Sequence, residues 1–139
     1  MPKELKVSLH ARLSEVRSMA ALIESFGESN DLPMRTTFVI NLAAEELVTN
    51  TVIHGGFSSV DEPLITVCLG LSDTVATLVM ETNGDRFDPT MDTHPDTDSE
   101  LEVREVGGLG LHFVKMLADR VAYDYVNGLN RLVLEYDLA

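Results

Sequence analysis

The stretch Val121-Ala122-Tyr123-Asp124-Tyr125-Val126-Asn127-Gly128, continued from Arg131 through Leu132-Val133-Leu134-Glu135-Tyr136-Asp137-Leu138, decides the fold. Residues 121–126 and 131–138 read as strands, and Asn127-Gly128 between them is a strong hairpin signal. A second hairpin lies upstream. Leu64 to Leu71 is an apolar segment after Pro63, Ser72-Asp73 is a turn, and Thr74 to Met80 reads as the next strand. Two consecutive hairpins imply a mostly antiparallel sheet. Residues 5–11 supply a fifth strand, with Leu5, Val7, Leu9 and Ala11 alternating against Lys6, Ser8 and His10.

Helices fill the intervals. Leu13, Val16, Ala20 and Ile23 form one helical stripe, with Gly27 as its stop. Pro33 suits the first turn of a long helix that should end at Gly55-Gly56. Gly107-Gly108 opens a third helical pattern carrying Leu109, Phe113, Met116 and Leu117. The expected order is β-α-α-β-β-loop-α-β-β. Three helices are too few to cover both faces of a five-stranded sheet. The expected fold is therefore α+β, a two-layer sandwich with all helices on one face.

The chain has 139 residues, one domain's worth, and an apolar fraction of 45% with mean hydropathy +0.07 rules out a disordered chain. Asp and Glu number 23 against 10 Lys and Arg, for a net charge of −13. That surplus argues against direct binding to nucleic acid or to an anionic membrane. The single Cys68 excludes an internal disulfide framework. No apolar run approaches the ~20 residues that span a bilayer, and the first residues lack a signal peptide's apolar centre. The expectation is a soluble cytoplasmic single domain, residues 1–139.

Three places carry chemistry. On the long helix, Val39, Leu42 and Ala43 share a stripe that Glu46 and Asn50 continue, one turn apart. Either this face turns inward, giving oxygen ligands spaced to suit Mg²⁺, or the helix is rolled by one position and Glu46 faces solvent beside Glu45. Gly107-Gly108-Leu109-Gly110 at a helix start offers backbone N–H groups to a phosphate. It follows a long acidic segment, interrupted by Pro89 and Pro95, of the kind that serves as a lid. Glu81-Thr82-Asn83-Gly84 ends a strand and leads into Phe87-Asp88-Pro89. His54 either faces the same site or ends the helix, where a histidine complements the dipole. Arg104 is either a lid contact to phosphate or a solvated charge. Cys68 reads as a packing residue.

Taken together, these segments resemble the GHKL (Bergerat-fold) ATP-binding superfamily. Glu46-Leu47-Val48-Thr49-Asn50 resembles its N box, Thr82-Asn83-Gly84-Asp85-Arg86-Phe87-Asp88-Pro89 its first glycine box, and Gly107-Gly108-Leu109-Gly110-Leu111 its second. The short length and the Phe-Asp-Pro ending are most similar to the bacterial anti-sigma-factor serine/threonine kinases. The resemblance implies ATP and Mg²⁺ as cofactors, with Asn50 on the metal and Glu46 as general base. It places Gly84 against the adenine, Gly108, Leu109 and Gly110 along the phosphates, and a lid at about residues 90–106. It further implies a homodimer whose partners are a sigma factor and a small antagonist protein bearing the acceptor Ser or Thr. One position departs from the pattern. Thr82 stands where the family has an aspartate that accepts a hydrogen bond from adenine, a loss of roughly 1.5–3 kcal/mol. That departure keeps open a second reading, a partner-binding module with weakened nucleotide binding.

Overall fold

The computed structural model describes residues 3–90 and 113–138. Its elements run β1 (Glu4–His10), a 3-10 turn (Leu13–Glu15), α1 (Val16–Ser29), α2 (Met34–His54), β2 (Leu64–Leu71), β3 (Val75–Thr82), a helical stretch α3 (113–117), β4 (Arg120–Val126) and β5 (Leu129–Asp137). All five strands form one antiparallel sheet in the order β1-β2-β3-β5-β4. The β4–β5 turn has Asn127 at φ 54° and Gly128 at φ 80°. Both central residues are thus left-handed, as a two-residue hairpin turn matching the strands' twist requires.

Alternation along the strands puts one side of the sheet under the helices. Its rows follow the register: Leu5, Leu69, Leu78, Leu134 and Val121, then Val7, Val67, Met80, Leu132 and Tyr123. Met19 and Ile23 of α1 and Ile40, Ala43, Leu47 and Val48 of α2 close over these rows to make one core. The result is a two-layer α+β sandwich. The next row, Leu9, Ile65, Thr82, Asn130 and Tyr125, changes character, because apolar residues give way to polar ones at the β3–β5 end. Among the described residues, no helix is long and apolar enough to cross a membrane.

Three local expectations are corrected. Leu13 lies in the 3-10 turn, 52% exposed, rather than on the helical stripe, which is carried by Met19, Ile23 and Phe26. Gly27 does not stop α1, which continues to Ser29. It is buried where α1 crosses α2, and a Cβ there would run into the Thr37 side chain. The glycine therefore permits close helix contact instead of ending the helix. The core stripe of α2 is Ile40, Ala43, Ala44, Leu47, Val48 and Thr51, rolled about one position from the Val39–Leu42–Ala43 stripe.

Candidate functional site

That small roll sets the position of the acidic and amide residues on α2. Glu46 and Asn50 neither enter the core nor face open solvent. Both are half-buried along the edge of the helix's packed stripe. Burial pushes the Glu46 carboxyl above the usual glutamate range, and the neighbouring Glu45 adds to the shift. Asn50 donates from Nδ2 to the carbonyl of Pro89 at 3.0 Å. That bond fixes the carboxamide and leaves its Oδ1 as an oxygen for a hard cation. Among the described residues, no group of three or more His, Cys, Asp or Glu could hold a metal. A cation here would take one amide oxygen and complete its shell with water and phosphate, which is the habit of Mg²⁺.

Facing this edge is the segment after β3. Thr82 is 4% exposed and accepts from Asn130 Nδ2 at 3.2 Å. The same Nδ2 lies 2.8 Å from the carbonyl of Asp85 and 3.3 Å from that of Gly84. Asn130 Oδ1 accepts from the backbone N–H of Phe87 at 2.8 Å and from the Tyr123 hydroxyl. On its other side the segment meets the end of α2. Asp85 N–H donates to Gly56 at 3.1 Å, and the Phe87 ring lies 6.5 Å from His54. A Cβ at Gly84 would collide with the Gly55 carbonyl and crowd the Phe57 ring, so only glycine fits this approach. Farther on, Asp88 accepts from the Thr90 amide at 2.9 Å and from its hydroxyl at 2.6 Å. Glu81 turns to the opposite face of the sheet and pairs with Arg131 at 3.3 Å.

The helix edge and the strand end thus converge on one segment, residues 83–90. The sequence profile of the histidine kinase-like ATPase domain matches residues 9–136. The chain belongs to that family. No curated protein matches its sequence. Among solved structures, it is similar to the RsbU and RsbW domains of Rv1364c from Mycobacterium tuberculosis. The TM-score is 0.70 at 18% identity, covering 97% of this chain and 32% of that one. At that identity the likeness concerns the fold, and this chain spans about a third of the other's length. An ATPase domain of this family implies ATP binding, and in this chain Asn50 of α2 is bonded to Pro89 in the segment that follows β3.

Not every expected site residue is among the described ones. Gly108, Leu109 and Gly110, Arg104 and the expected lid from about residue 91 onward lie outside the described residues. His54 occupies the last turn of α2, consistent with a helix-ending role. Cys68 is half-buried on the sheet side away from the helices, and burial raises its thiol pKa. Asn130 lies outside the strand that the sequence signals from Arg131, because β5 begins at Leu129. The signal was present: Asn130 continues the face of Leu132, Leu134 and Tyr136, and a polar residue on an apolar strand face needs partners when buried.

Proposed function

We propose that this chain is a cytoplasmic anti-sigma factor with ATP-dependent serine/threonine protein kinase activity. It would transfer the γ-phosphate of ATP to a serine or threonine of a small antagonist protein. The observation that carries this reading is the placement of Glu46 and Asn50 one turn apart on one half-buried helix edge, with Asn50 bonded to Pro89, within a histidine kinase-like ATPase fold. Similarity to a solved structure that includes an RsbW domain and the Phe87-Asp88-Pro89 ending give it direction.

The step is an in-line displacement. The acceptor oxygen forms a bond to the γ-phosphorus, the bond to the β-bridging oxygen breaks, and ADP leaves with that electron pair. Glu46 takes the hydroxyl proton, directly or through water, and its raised pKa suits that work at neutral pH. When bound, Mg²⁺ neutralises phosphate charge. Asn50 would hold it through Oδ1 while Pro89 keeps the carboxamide oriented. Gly84, whose missing side chain accommodates the Gly55 carbonyl, would present its backbone to the nucleotide base, and Gly108, Leu109 and Gly110 would line the phosphates. The acidic surplus is compatible with this, because the cation supplies the local positive charge. The working unit is a homodimer in this reading.

A second reading is favoured by Thr82. Its buried hydroxyl is uncharged and already accepts from Asn130. On that reading the fold traps a sigma factor with nucleotide binding weakened or lost. Incubation with γ-labelled ATP, Mg²⁺ and a candidate antagonist, with the phosphorylated residue mapped by mass spectrometry, tests the kinase reading. Label on an antagonist Ser or Thr supports it, while an unmodified antagonist and a stable complex formed without nucleotide support the trap.

A further inference from the structure

Asn130 engages five partners through one carboxamide. It is 4% exposed and lies on β5 opposite Thr82 of β3 and Tyr125 of β4. Its amide nitrogen faces three acceptors on the 82–85 stretch: the Thr82 hydroxyl and the carbonyls of Gly84 and Asp85. Its oxygen accepts from the Phe87 amide on that stretch and from Tyr123 on β4. One carboxamide therefore fixes the backbone at both ends of the turn Gly84–Phe87. The pattern needs a two-hydrogen donor and an oxygen acceptor on one planar group, which among neutral side chains only Asn and Gln supply. The opposite side of the turn is held by the two glycines that follow α2, through Gly56 and the close approach of Gly84 to Gly55.

We propose that Asn130 is a positioning residue for nucleotide binding: its carboxamide sets the Gly84–Phe87 backbone at the base-binding end of the site, and Tyr123 holds the carboxamide in place. The inference rests on the ATP-binding reading above. It assigns to a β5 residue the geometry of a segment that follows β3. It also gives Thr82 a second task, since its oxygen anchors the Asn130 amide.

Calorimetric titration of the full chain with Mg-ATP, comparing wild type with Asn130→Asp, tests this. Aspartate keeps the size and the acceptor oxygen but replaces the N–H donors with a second oxygen, which sets a carboxylate against two carbonyls. The expected result is a dissociation constant raised about tenfold or more with unchanged stoichiometry. A positioning role moves affinity, whereas a merely structural role removes competent molecules and lowers stoichiometry at unchanged affinity. Unchanged affinity, with or without reduced stoichiometry, would overturn the proposal while the ATP-binding reading stood. Failure of wild type itself to bind would remove that reading, and this proposal with it. Should Asn130→Asp not fold by circular dichroism, Tyr123→Phe replaces it. A rise of about threefold in the dissociation constant supports the role, since one hydrogen bond is worth roughly that much. No change contradicts it.

Discussion

Asn50 and Asn130 both hold the 83–90 segment, yet their carboxamides are used differently. Asn50 sits half-buried at a helix edge, makes one bond to Pro89 and keeps its oxygen available. Asn130 is buried under the sheet's polar end with donor and acceptor both engaged. A free valence at a site's edge marks a group that can meet a ligand. A saturated one marks a group whose loss the fold itself feels, because a buried polar atom left without a partner carries its full desolvation penalty. Glu46 belongs with Asn50, since its shifted carboxyl is a strain on the fold that chemistry can use.

The largest expected effect is on transfer. Glu46→Gln should lower phosphate transfer by about 10²–10⁴-fold, the usual worth of a general base, while Mg-ATP affinity changes little. A labelled-phosphate assay beside a calorimetric titration checks both, and full transfer by this variant would remove the general-base role. The contrast between the asparagines predicts a crossing. Asn50→Ala should weaken Mg-ATP binding by about tenfold or more while shifting stability by less than ~1 kcal/mol. Asn130→Ala should lower stability by about 1–3 kcal/mol, read from urea melts. Equal stability losses for the two would break the distinction.

Thr82→Asp should tighten ATP binding by roughly tenfold, because a carboxylate restores a charge-assisted acceptor and can still receive the Asn130 N–H. Weaker binding would show that the pocket depends on the hydroxyl. The smallest effect concerns Glu46 and pH. Its raised pKa means that the fold favours the neutral acid, so that contribution is full below the ordinary glutamate range and is lost as pH rises through the raised value. Glu46→Gln should therefore melt slightly higher than wild type near neutral pH, by less than ~1 kcal/mol because solvent screens a half-exposed group. The gain should fade as pH drops to about 4.

The sheet was legible because its signals are local. Asn127-Gly128 demands left-handed φ at both positions, and alternation from Leu5 to Leu9 and from Leu64 to Leu71 states which side is buried. The placement of Glu46 and Asn50 one turn apart on one helix edge was legible, because helical spacing brings them together. Site geometry was not legible where the partner is distant in sequence. Nothing near Asn130 announces that Gly84, Asp85 and Phe87, more than 40 residues away, will supply its bonds. Gly27 misled for a related reason. A glycine needed for a close approach to Thr37 looks in sequence like a glycine that ends a helix. The one-position roll of α2 likewise depends on α1 and the sheet, which helical periodicity alone does not register.

The most direct test of the account is calorimetric titration of the wild-type chain with ATP, with and without Mg²⁺. The account predicts micromolar binding that is lost when Mg²⁺ is withdrawn. No heat of binding up to millimolar nucleotide would contradict it, and would leave the fold as a partner trap that works without ATP.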